Sequence, residues 1–167
     1  MSATVQINEF NGAGETKTAN ITNSNLGSSD SVNLNASANP IIAGSNSFEK
    51  WQKIEVTALG GSSAIDNLKT WMTGSLSGSD ALKTNARTAT YGGAETYGTP
   101  VASTSSKAAQ TMPIAEPASA NLGIGGSLTG SITAVGSSDY LVMQLQTDAA
   151  TTAGASLTIH YQYDETA

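Results

Sequence analysis

Cysteine is absent from the 167 residues, which excludes disulfide frameworks, thiolate catalysis and cysteine-ligated zinc. Histidine occurs once, at His160, so most histidine-centred metal and triad chemistry is excluded as well. Charge is scarce: charged side chains are 12% of the chain, and 13 acids against 7 bases leave a net charge of −6. A nucleic-acid binder needs a basic surface to displace counterions, and seven scattered basic residues do not provide one. No apolar run approaches the roughly 18 residues of a membrane-spanning helix. Met1, Ser2, Ala3 and Thr4 lack the basic and apolar regions of a signal peptide, so synthesis in the cytoplasm is the expectation. Aromatics amount to 5%, and proline occurs four times.

What is present is small. Ala, Ser, Thr, Gly and Asn together make up more than half of the chain. Leu, Ile, Val and Phe fall below the ~20% that, combined with high net charge, marks disorder. The net charge is modest, however, which points to a folded chain with a thin core. The length suits one domain.

Apolar residues alternate with period 2 more often than they follow a helical period. In residues 140–147 (YLVMQLQT), Leu141, Met143 and Leu145 share a face, and in residues 156–163 (SLTIHYQY), Leu157, Ile159, Tyr161 and Tyr163 do. The intervening residues 148–155 carry Gly154 and no large apolar side chain, which predicts an antiparallel hairpin with an eight-residue loop. Residues 4–10, 31–35 and 127–134 read as short strands. Residues 48–59 read as a longer strand because β-branched residues dominate the second half and Gly60 and Gly61 follow as a turn. Residues 64–72 return as the expected partner, with Ile65 and Trp71 on one face and Leu68 and Met72 on the other. Trp51 and Trp71 are the expected core anchors. Residues 11–46 are Asn-, Ser- and Thr-rich, with small apolar islands. Residues 91–121 hold Pro100, Pro113 and Pro117 and form a long irregular excursion, of the kind that is functional or lies over a partner.

Little in the chain can do chemistry. His160 falls on the polar-facing register of the last strand beside Thr158 and Gln162, the position of an ordinary wet-face residue. Glu49, Glu55 and Asp66 could be weighed as a glycosidase carboxylate pair, but charged residues on the wet face of a sheet account for them. The aspartates of residues 27–30, 78–80 and 136–139 sit in Gly- and Ser-bearing turns, one per turn, far short of a calcium cage. Residues 123–126 (GIGG) lack the third glycine of a dinucleotide fingerprint, since Leu128 occupies that place. No catalytic residue, metal ligand or cofactor site is expected.

Several strings taken together carry a resemblance. Residues 138–146 (SDYLVMQLQ), the loop with Ala153 and Gly154, and the ending Ile159, His160, Tyr161, Gln162, Tyr163, Asp164, Glu165 resemble the ends of virion structural proteins of tailed bacteriophages. Residues 47–51 (SFEKW), 65–71 (IDNLKTW), Thr99-Pro100-Val101 and Met112-Pro113 do so as well, so that the resemblance spans roughly residues 48–165. It implies an all-β fold: a single antiparallel β-sandwich, of jelly-roll type, with long loops and an extended N-terminal arm or edge strand over residues 1–10 ahead of a domain at 11–167. It further implies a noncatalytic capsid decoration or cement protein on the outer surface of the head. The partners would be the major capsid protein or another virion protein and further copies of the chain, a trimer being favoured. Tail, neck or baseplate placement is the structural alternative. A carbohydrate-binding β-sandwich with Trp51, Trp71 and Tyr91 as platforms is the alternative of another class. On the decoration reading, Val5, Ile7 and Phe10 of the arm and Pro100, Val101, Met112 and Pro113 of the excursion are the candidate interface residues.

Overall fold

A computed structural model describes residues 1–88 and 92–167. Among them there is no helix, and nine strands build two antiparallel sheets. The larger sheet contains β1 (Thr4–Asn11), β2 (Thr16–Thr18), β3 (Lys50–Ala58), β5 (Ala81–Thr84), β6 (Gln110–Thr111) and β8 (Leu141–Gln146) in the order β2-β1-β3-β8-β5-β6, and β7 (Gly136–Ser137) pairs with β3 beside that path. The smaller sheet contains β4 (Ala64–Gly74) and β9 (Leu157–Thr166). The chain is therefore all-β, in sheets of seven and two strands, an inequality that does not confirm the two matched sheets of a jelly roll.

The sheets face one another across the main core. Ile54 and Val56 of β3, Leu82 of β5 and Leu141 and Met143 of β8 meet Ile65, Leu68 and Met72 of β4, with Met112, Leu122 and Ile132 filling in from loops. Alternation does this work: in β1 and β3 the inward positions Val5, Ile7 and Glu9 lie opposite Val56, Ile54 and Gln52.

The hairpin expected between residues 140–147 and 156–163 does not form. Both segments are strands, but β8 lies between β3 and β5 in one sheet while β9 pairs with β4 in the other. Both edges of β8 are already taken, so the loop crosses the sandwich instead of folding back. Asp148 fixes its start, accepting from the Ser79 and Ala150 N–H groups at 2.9 and 2.7 Å. Nor does β4 pair with β3. Its faces also differ from the expectation, because a bulge between Asp66 and Lys69, with Asn67 at φ 49°, changes the alternation. Ile65, Leu68 and Met72 thereby all enter the core, and Trp71 faces outward. Residues 31–35 and 127–134 form no strand. The second segment contributes two isolated bridges, Ile132 to Ile65 and Ser127 to Ile124.

A second, smaller cluster covers the opposite face of the large sheet, where Phe10, Trp51, Tyr140 and Val142 are roofed by Ala94, Tyr97 and Ala108. Residues 92–108 of the excursion are thus draped over their own sheet, while Met112 enters the main core. Trp51 is 1% exposed, edge-to-face with Tyr97 and Tyr140 at centroid distances of 5.3 and 5.4 Å, and its indole N–H donates to Glu49 at 2.8 Å. Glu49 also accepts from the Ser105 hydroxyl, which ties the roof down. Gly98 lies against the Trp51 ring, where a Cβ would come within 3.1 Å of it.

Candidate assembly surface

The polar end of the sandwich interior explains how the Asn- and Ser-rich N-terminal stretch is held. Lys50 and Glu9, both inward-facing and fully buried, form an ion pair at 2.6 Å. The Lys50 ammonium also donates to the Ser31 carbonyl at 2.6 Å, and Gln52 donates to the Ser24 hydroxyl at 2.8 Å. Asn11 donates to Asp30 at 2.7 Å. Tyr161 of β9 donates to the Gln52 side-chain carbonyl at 2.5 Å, linking the two sheets, and burial pushes its hydroxyl pKa well up. Ionisable groups in the interior therefore serve as anchors for loops.

Beside Tyr161 the interior opens into a cleft of about 460 Å³ between the sheets. Its walls include Ile7, Leu82 and Met143 from the large sheet and Leu157 and Ile159 from β9, with residues 21–26 along the rim. Its walls are mainly apolar, and Thr22, Asn23, Ser24, Asn25, Ser156 and Thr158 add polar groups to the lining.

One side of the cleft is bounded by β9, and the hydrogen bonds of β4 show which way the β9 backbone points. Ile65 exchanges both backbone bonds with Ile132, at 3.0 and 2.8 Å. The Leu68 carbonyl accepts from Asn121 and Leu122, Thr70 exchanges bonds with the Asn121 side-chain amide, and the Met72 N–H donates to Pro113. These β4 residues face away from β9. By alternation, Lys69, Trp71 and Thr73 bond their partners Gln162, His160 and Thr158. The backbone groups of Leu157, Ile159, Tyr161 and Tyr163 then point to the open side of β9. Among the described residues, no backbone group outside β4 and the turn before it bonds the β9 backbone.

Among the described residues, the remaining edges are covered or short. Asn121 and Pro113 occupy the far side of β4, and Ile21 donates to the Ile7 carbonyl on the far side of β1. β2 has three residues and β6 two. In contrast, β9 runs ten residues without Lys, Pro or Gly. Proteins usually blunt an exposed edge with such devices, because an unpaired row of N–H and C=O groups is a template for another strand.

The expected interface residues do not form one surface. Val5 and Ile7 are half-buried and point into the sandwich, Ile7 on the cleft wall. Phe10 is buried edge-to-face against Tyr140 at 5.1 Å. Residues 4–11 belong to an integral strand paired along β3, not to a separate arm. Pro100 is buried. Val101 is 39% exposed, its carbonyl accepting from the Glu49 N–H at 3.0 Å. Met112 lies in the main core and Pro113 is half-buried.

The aromatic candidates separate as well. Trp51 is buried, and Trp71 is half-buried on the opposite side of the molecule, stacked on His160 at 4.8 Å with a 5° interplanar angle. Tyr91 lies outside the described residues. His160 is bonded to Thr73 at 2.8 Å. Of the carboxylates, Glu49 holds Trp51 and Ser105, and Glu55 is paired with Lys17 at 2.8 Å, while Asp66 lies at the β4 bulge in the other sheet. Among the described residues, no three His, Cys, Asp or Glu side chains group as metal ligands.

Sequence reading placed β9 but missed its free edge. The usable signal was the absence of Lys, Pro and Gly from residues 157–166. No protein-family model, curated protein or solved structure matches the chain.

Proposed function

We propose that the chain is a noncatalytic structural protein of a tailed-bacteriophage virion that decorates the outer surface of the head and stabilises it. On this reading it is made in the host cytoplasm and comes to rest on the capsid. The observation that carries the proposal is the long β9 edge, free of Lys and Pro and with its acids confined to the C-terminal end, beside a largely apolar cleft, in a chain whose buried ionisable groups are committed to holding loops. Such a surface suits association through main-chain pairing and apolar contact. Many weak copies on a repeating shell then gain affinity by multivalency. The major capsid protein is the natural partner on this reading, with further copies of the chain as neighbours. Carbohydrate binding is less well supported, because Trp51 and Trp71 lie on opposite sides of the molecule and Trp51 is buried.

The test is to add purified protein to heads assembled without it and to follow co-sedimentation and the thermal rupture of the heads. Saturable binding with a raised rupture temperature is expected. Absence of binding to heads, with binding to purified tails, would move the protein to the tail or neck. Binding to neither would overturn the proposal.

A further inference from the structure

The open edge of β9 has a composition that suits one occupant, and we propose that it is β9 of a second copy, added antiparallel about a two-fold axis through His160. This deepens the reading of the same surface as an assembly site, and it can fail without that reading failing.

Three features support this occupant. The first is the backbone. Leu157, Ile159, Tyr161 and Tyr163 turn both N–H and C=O outward, so two β9 edges meet donor to acceptor along their length. The second is register. Directly opposed residues in an antiparallel pair share a face, so the axis must pass through a residue position. Centring on His160 sets Leu157 opposite Tyr163 of the other copy and Ile159 opposite Tyr161, an apolar pair at each position on the cleft side. Centring on Tyr161 would instead set Leu157 opposite Glu165, and centring on Gln162 would set Ile159 opposite it.

The third feature is charge. The acids of β9, Asp164 and Glu165, sit together near its C-terminal end. A parallel pair would place them side by side, ~5 Å apart. In the antiparallel register, Asp164 of one copy lies roughly 27 Å along the edge from Asp164 of the other, at ~3.4 Å per residue. That is well beyond the ~8–10 Å over which exposed charges interact at ordinary salt. On the outer face, Thr158 meets Gln162 of the other copy, a neutral pair. The result is a continuous four-stranded sheet, β4-β9-β9-β4, with the cleft of each copy next to the added strand.

Light scattering coupled to size exclusion, run across a dilution series, tests this directly. A mass of twice the 16.9 kDa chain that falls to one chain on dilution is expected. Thr158→Lys combined with Gln162→Lys places lysines opposite one another twice in the proposed register, and should raise the dimer dissociation constant at least tenfold. Thr158→Glu combined with Gln162→Lys, which opposes unlike charges, should restore it. Circular dichroism and thermal melting check that each variant remains folded, which matters most at Gln162, opposite the buried Lys69. A synthetic peptide of residues 156–166 should compete with dimer formation. A monomer at all concentrations, a trimer, or a dimer indifferent to both double variants would overturn the β9 pairing. Binding to heads by a protein of any such state would leave the proposed function standing.

Discussion

Trp51 shows how position, more than residue type, decides a side chain's role. Period-2 reading identifies Trp51 and Trp71 equally as anchors, yet one is sealed beneath the 92–108 segment and the other lies half-open against His160. What separates them is a roof built from residues more than forty positions away, which no local pattern contains. Lys50 and Glu9 were equally hard to read, because in a strand their alternation gives them inward positions that composition would assign to apolar residues. Removing one partner of such a pair strands a buried charge. Lys50→Met alone should therefore cost ~3–5 kcal/mol in urea unfolding. Lys50→Met together with Glu9→Leu should recover most of that loss, and failure to recover would mean that the Ser31 contact of Lys50 is the larger part of its role.

Acid sensitivity also begins with single residues. Hydrogen bonds from Lys17 and Asn8 hold the Glu55 carboxyl below its ordinary value of 4.5. A depressed folded pKa contributes stability that is fully present above the unfolded value and is lost as the pH falls through the folded one. Replacing Glu55 by Gln should accordingly flatten part of the stability loss between about pH 5 and 3, and leave the slope above pH 6 unchanged. Urea midpoints taken across that range provide the check.

Strands were more legible than their partners. The alternation of β1, β3, β8 and β9 is visible in the sequence, but the β8–β9 hairpin and the β3–β4 pairing were not the outcome. A strand's own residues say that it will pair and which face it buries. They do not say which edge is free when it arrives, and here β8 is enclosed by β3 and β5. Asn67 is the clearest local lesson, since one residue in left-handed backbone shifts the alternation of β4 and puts Ile65 and Leu68 on the same side. Asn tolerates that conformation and a β-branched residue does not. Asn67→Val should cost ~1–2 kcal/mol or more, while Asn67→Gly should stay within ~0.5 kcal/mol of the parent. Equal losses for the two variants would show that the Asn67 contact with Asp164, at 2.7 Å, matters more than the backbone.

The molecule as a whole returns to the scarcity visible in its composition. A chain more than half Ala, Ser, Thr, Gly and Asn has few large apolar side chains, and it divides them between two clusters on either face of one sheet. The small residues permit close approach of loops, as where Gly27 packs against Leu34 and residue 39 with no room for a Cβ. The polar residues bind those loops to the sheets through buried amide and hydroxyl bonds. Among the described residues, what remains uncovered is one long strand edge and a cleft beside it, neither of which could be read from the sequence because both depend on which strands fail to meet. A partner seated there would add to the stability of a thin fold by mass action.

The most direct test of the proposed virion role is whether this chain is present in purified tailed-phage particles from cells that produce it, and in how many copies, measured by quantitative mass spectrometry against the shell protein. A decorating role predicts copies in a fixed proportion comparable with the shell protein. A handful of copies per particle would contradict decoration in favour of a tail or neck position, and complete absence from purified particles would contradict the virion assignment altogether.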